Sequence, residues 1–149
     1  MSKIIIIKTV HAPVELVFNT IADIRNFSEA VPDIVDVQFL SEIKSGVGTR
    51  FRETRLVKGK EATEEMEVTE YVENDCIRII AESHGTIWDS LFTVAGNSMD
   101  TELKLKLEAK ANTLLAKMIN PMMKGMIKKA IGKDMNAVKR YCEAHVVKD

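Results

Sequence analysis

Between Lys3 and His11 the chain carries four consecutive isoleucines and then Val10, a pattern that predicts a strand rich in β-branched side chains. Pro13 suits the first turn of a helix, where its missing N–H costs nothing. Val14, Val17, Phe18 and Ile21 recur at helical spacing, so residues 13–22 are predicted to form an amphipathic helix. Asp23 is placed to cap a second short helix over residues 24–30, which stops before Pro32. The middle of the chain alternates strand patterns with turn residues. Strands are expected at Ile34–Ile43, Arg50–Val57, Ala62–Val72, Cys76–Ser83, Thr86–Val94 and Met99–Ala109. Ser45-Gly46-Val47-Gly48, Lys58-Gly59-Lys60, Asn74-Asp75, Gly85 and Gly96-Asn97 mark the turns.

The last strand has the clearest alternation. Leu103, Leu105, Leu107 and Ala109 interleave with Lys104, Lys106, Glu108 and Lys110, as in an antiparallel sheet covered on one face. In Ala62–Val72, Met66, Val68 and Glu70 alternate with Glu67, Thr69 and Tyr71. From Pro121 onward Met123, Met126, Ile127, Ala130, Ile131, Met135, Val138 and Cys142 form one broad helical stripe. Lys124, Lys128, Lys139 and Glu143 take the other side. Leu115, Met118, Ile119 and Met122 form an earlier stripe, rotated by roughly a quarter turn. A kink or break is therefore expected at Pro121, with Asn120 as its cap. Strand, two helices, six strands and a long helix predict an α+β fold, a curved antiparallel sheet wrapped on the C-terminal helix.

Composition narrows the function classes. The 149 residues suit a single domain over residues 1–149, with 46% hydrophobic and 29% charged side chains. A net charge of −1 lacks the electrostatic footprint of a general nucleic-acid binder. No apolar run approaches the ~20 residues of a membrane span, and the first isoleucines are too short a run for a signal peptide. Two cysteines, Cys76 and Cys142, are too few for a disulfide scaffold or a zinc cluster, and a reduced cytoplasmic protein is expected.

Several short signatures then fall in a telling order. Ala12-Pro13 precedes Val17-Phe18, and Asp23-Ile24-Arg25-Asn26-Phe27 runs on to Pro32. Gly46, Gly48 and Thr49 open a strand, Val68-Thr69-Glu70-Tyr71 lies in a central one, and Thr101 precedes the last. With these residues the chain resembles the START-like (SRPBCC) superfamily of helix-grip proteins, and within it the polyketide cyclase/dehydrase-like branch. The resemblance covers nearly the whole chain. It departs before Thr101, where Asp100 stands in place of the glycine common in the family, so that hairpin is expected to differ in length. The resemblance implies an apolar cavity between a seven-stranded sheet and the long helix. Members include lipid carriers, polyketide cyclases, quinone-binding proteins and plant hormone receptors, so use must be argued from the pocket.

Alternation gives the candidate cavity wall. Phe51, Met66 and Val68 stand on one side, with Ile77, Ile79 and Ala81, then Trp88, Ser90, Phe92 and Val94, then Leu103 and Leu105. The helix would add Met123, Met126, Ile127 and Ala130. Methionine suits a pocket that adapts to apolar ligands, although a stripe at helical spacing is more often plain core. A slip of one residue at a bulge would exchange inner and outer sets. If Phe51 faces inward, so do Glu53 and Arg55, and such a pair would orient a polar ligand end. A solvated strand face or a barrel-end ion pair is the favoured reading, since charged residues are seldom buried. Arg55 and Ser90 remain the polar candidates within the cavity set.

Other titratable residues carry weaker signals. His84 beside Gly85, with Asp89 nearby, would form a general base only if the pair reached the cavity; a wet hairpin is the simpler reading. His11 and His145 show no metal-ligand spacing, and each cysteine reads as a buried thiol. Ser45-Gly46-Val47-Gly48 lacks the lysine and helix of a phosphate loop. No metal or cofactor is expected.

The reading is a protein that binds a small hydrophobic or amphipathic ligand, lipid, polyketide or isoprenoid-like, as a monomer or homodimer. A polyketide cyclase/aromatase-like enzyme and a coenzyme Q-type quinone-binding protein are the rival readings. Met126→Trp is expected to reduce ligand binding without unfolding the protein.

Overall fold

The computed structural model describes residues 2–147, with the side chains of residues 2, 115, 116 and 118–122 outside the description. Its elements follow the expected order. Strand β1 (Ser2–Val10) leads to helices α1 (Val14–Ala22) and α2 (Ile24–Ala30). Strands β2 (Ile34–Phe39), β3 (Arg50–Val57), β4 (Lys60–Val72), β5 (Cys76–Ser83), β6 (Thr86–Gly96) and β7 (Thr101–Ala111) follow, and helix α3 (Leu114–Ala144) ends the series. The seven strands form one antiparallel sheet in the order β1-β7-β6-β5-β4-β3-β2. The helices cover one face of it, which is the α+β helix-grip arrangement.

Local chemistry explains the joints. The Asp23 carboxylate accepts the Arg25 backbone N–H at 2.9 Å and caps α2, which ends where Val31 N–H bonds the Phe27 carbonyl, one residue before Pro32. The β3–β4 and β5–β6 hairpins turn on two residues each, Lys58-Gly59 and His84-Gly85, and all four have positive φ. Such turns match the twist of the strands they join.

The β6–β7 turn sets the start of β7 at Thr101, two residues later than the alternation indicates. Asn97 Oδ1 accepts the backbone N–H groups of both Met99 and Asp100, so residues 97–100 are held as a loop. The same loop anchors the first helix. Asn97 O accepts the Val14 N–H at 3.0 Å, and the Thr101 hydroxyl donates to the Ala12 carbonyl at 2.8 Å.

Three further details differ from the sequence pattern. Strand β2 ends at Phe39, because residues 40–49 leave the ladder to form the glycine-containing loop before β3. A register shift between Val68 and Glu70 in β4 exchanges the two faces, so Tyr71 turns inward. Its ring meets Phe18 edge-on at 5.3 Å, while Glu70 faces Arg78 on the outside. Helix α3 runs without a break through Pro121. Proline removes one N–H bond there, and the surrounding leucine, methionine, lysine and alanine favour helix enough to continue it. The stripe expected at Leu115, Met118, Ile119 and Met122 lies outside the described residues.

The core fills the space between the concave sheet face, α1, α2 and the second half of α3. Phe18, Phe51, Ile77, Leu103, Met135 and Val138 are its large, fully enclosed side chains. Cys142 is buried there as a thiol, with its Sγ 3.4 Å from Thr20 Oγ1.

Candidate ligand cavity

Toward the first half of α3 the core opens into a cavity of about 1010 Å³. The sheet supplies its floor through cross-strand pairs that share a face. Phe51 pairs with Met66, Val68 with Ile79, Ile77 with Phe92, and Phe92 in turn with Leu105. Ala81 pairs with Trp88, and Ile79 with Ser90. All of these side chains line the cavity. Ile21, Ile24 and Phe27 from α1 and α2 close one side, and Met123, Ile127, Ile131 and Met135 from α3 close another.

Most of the sequence-derived set is therefore brought together, and four members are not. Leu103 and Val94 are buried in the core and do not line the cavity. Met126 is 56% exposed, and Ala130 is exposed as well. The inner line of α3 is narrower than the apolar stripe. It follows Met123, Ile127, Ile131 and Asp134, and Met126 and Ala130 each lie one residue, about 100°, off that line.

Of the favoured reading of Glu53 and Arg55, the solvated face is overturned and the ion pair is present. Strand β3 alternates so that Phe51, Glu53 and Arg55 all point inward, and Glu53 is only 4% exposed. Arg55 donates through Nε to Glu53 Oε1 at 2.8 Å, and its Nη2 lies 2.8 Å from the same oxygen. Its Nη1 reaches both oxygens of Asp134 on α3, at 3.0 and 3.3 Å. Burial explains the cost of this arrangement. It pushes the Glu53 and Asp134 carboxyls above their ordinary range, and the Arg55 charge offsets the push only in part. Glu64 also lines the cavity. Burial and the neighbouring Glu53 charge raise it too, against Arg55 and His84.

His84 and Asp89 do not form a pair. Trp88 and Ser90 point inward, so Asp89 points outward, where Arg78 Nη1 binds its two oxygens at 2.7 Å each. His84 is exposed on the β5–β6 turn, at the cavity rim.

The sequence reading misses Asp134 altogether. A signal for it exists, since an aspartate sits inside the apolar stripe between Ile131 and Met135. Among the described residues no three His, Cys, Asp or Glu side chains are grouped to hold a metal ion, and no helix is long and apolar enough to cross a membrane.

Known proteins share this architecture. An aromatase/cyclase named Zhui from Streptomyces sp. R1128 superposes with a TM-score of 0.79 at 18% identity, covering 98% of this chain and 99% of that one. A START superfamily protein from Mycobacterium smegmatis gives 0.77 at 16% identity, covering 95% and 97%. The protein TTHA0849 from Thermus thermophilus gives 0.77 at 12% identity, covering 96% and 98%. Identities this low show the fold alone. No curated protein matches the chain. Residues 6–143 match the family described as polyketide cyclase/dehydrase and lipid transport. The START superfamily structure shares the helix-grip fold of this chain, and since nearly the whole chain is matched by the family model, the chain belongs to that family.

Proposed function

We propose that this protein binds a small hydrophobic or amphipathic molecule, of lipid, polyketide or isoprenoid type, in the cavity between the sheet and α3. The cavity itself carries the reading. At about 1010 Å³ it sits at the top of the ~300–1,000 Å³ range of small-molecule sites. Its walls are mostly apolar, with a few convergent polar groups at one end. Burying apolar ligand surface there is worth ~25 cal/mol per Å² before ordering costs.

The test has two arms. The protein is purified from its native host, denatured gently, and the released small molecules are identified by mass spectrometry. In parallel, Trp88, the sole tryptophan, reports titration with an apolar probe through its emission. A stoichiometric apolar compound, or a saturable blue shift, supports the reading. A protein that releases nothing and whose emission never responds is not a ligand carrier.

A second reading, a polyketide cyclase/aromatase-like enzyme, gains from the ionisable groups inside the cavity. A carboxyl raised by burial exchanges a proton nearer neutral pH, as acid–base catalysis on a flexible carbonyl chain requires. If that chemistry operates, Glu53→Gln or Asp134→Asn lowers kcat by about 10²–10⁴-fold on a polycarbonyl substrate. Ring formation at an unchanged rate in both variants removes the enzyme reading.

A further inference from the structure

The polar end of the cavity has a sign. Glu53, Glu64 and Asp134 face it from β3, β4 and α3, and Glu61 adds a fourth carboxylate. Against them stands Arg55, with His84 at the rim, while Lys44 lines the cavity farther along, beside Phe39 at the level of Phe51. With His84 neutral the lining is formally two charges negative, in a chain whose net charge is only −1.

Arg55 does not present itself to an incoming anion. Nε and Nη2 are turned to Glu53 and Nη1 to Asp134. Lys44 is drawn aside over the Phe39 ring, 5.6 Å from its centroid.

Glu53 is the reverse case. Both contacts from Arg55 go to its Oε1, and its Oε2 has no hydrogen bond among the described residues. The side chain is 5% exposed, yet no fully enclosed polar side-chain atom is left without a partner. Oε2 therefore meets open cavity space, not packed protein. It is an acceptor held ready at the end of an apolar chamber. An acceptor that faces the cavity is open to whatever fills it, and a charged donor on a ligand makes the stronger, charge-assisted bond there.

On the reading of this cavity as a ligand site, we propose that its ligand is an apolar molecule with a cationic amine head, which Glu53 Oε2 receives, and that carboxylate-headed molecules are rejected. The apolar body would lie along the Ile79, Trp88 and Phe92 wall, toward the sheet centre. The amine would meet Glu53, with Glu64 and Asp134 adding to the favourable field. A carboxylate in the same place would face three carboxylates and find the guanidinium already engaged.

Three probes of matched chain, dodecylamine, dodecanol and dodecanoate, test this by titration against Trp88 emission and by calorimetry, below their aggregation concentrations. The amine should bind at least about tenfold more tightly than dodecanoate, with dodecanol between them. Glu53→Gln should bring the amine-to-carboxylate ratio toward one. Should Glu53→Gln fail to give a native near-UV spectrum, Glu64→Gln should narrow the same ratio. Dodecanoate binding as tightly as the amine overturns the inference and leaves the cavity reading standing, as does a preference that survives in a folded variant. Binding of none of the three overturns both.

Discussion

Arg55 on β3 holds Asp134 on α3 at 3.0 Å, and so ties the sheet to the long helix across the cavity. The same guanidinium also holds Glu53. Two carboxyls raised by burial thus share one cation. Removing the cation leaves both uncompensated. Arg55→Met should cost about 3–5 kcal/mol in urea unfolding near neutral pH. A loss within experimental error would mean that water reaches these carboxyls freely.

The pH dependence has a definite sign. A carboxyl raised in the folded state keeps a proton that the unfolded chain releases, so its contribution to stability falls as pH rises through the raised value. Glu53→Gln removes that titration. The stability of the natural protein relative to Glu53→Gln should therefore grow as the pH drops from neutrality toward the ordinary glutamate range. A relative stability that stays flat or declines over that window would contradict the buried-carboxylate account.

Neighbouring positions on α3 separate cavity from surface. Ile127 lines the cavity, whereas Met126 is 56% exposed. Ile127→Trp should weaken binding of an apolar probe by about tenfold or more, the equivalent of ~1.4 kcal/mol. Met126→Trp should leave binding unchanged, in contrast to the expectation from the apolar stripe. Equal effects at the two positions would place the helix in a different rotation.

Gly96 ends β6 where the chain folds tightly over itself. A Cβ there would lie 2.2 Å from the Asp100 carbonyl oxygen and 2.7 Å from Thr101 Cα. Both are backbone atoms, so the hairpin itself must move. Gly96→Ala should destabilise by about 1–3 kcal/mol in thermal or urea unfolding. A neutral result would show that the loop at residues 97–100 relaxes freely.

Asp23 offers the opposite titration. Burial would raise its carboxyl, but the Arg25 side chain and backbone N–H, which it accepts, bring it below its ordinary value. Its contribution is full above the unfolded carboxylate range and is lost as pH falls through the lowered value. Asp23→Ala should cost about 1 kcal/mol at neutral pH, as loss of a helix cap does. A cost that persisted in strong acid would point to packing instead of the cap.

Much of this fold is legible in the residues, because strand alternation and turn chemistry act locally. The Leu103–Ala109 alternation and the Lys58-Gly59 turn need nothing beyond themselves. The bulge after Val68 is hidden, since an exchange of faces depends on the partner strand and on Phe18 beneath Tyr71. The cavity wall from β3 to β7 follows from alternation, but the apolar stripe draws the helix side too wide. Stripe width is set by what the helix leans on, and from Met123 to Ile131 α3 borders the cavity. Glu53 reads as wet in the sequence because charge is seldom buried. The Arg55 guanidinium that makes its burial tolerable is itself held across the cavity by the remote Asp134, and a one-dimensional pattern does not disclose such a link.

The pairing of β1 with β7, from Ser2 opposite Ala109 to Val10 opposite Thr101, has a consequence for biosynthesis. The isoleucine-rich strand is made about a hundred residues before β7, its one sheet neighbour among the described residues. At ~5–20 residues per second that is a wait of roughly 5–20 seconds, with adhesive sequence unpaired. The strand that finishes the sheet is the one most exposed to chaperones and to wrong partners while the rest is still being translated.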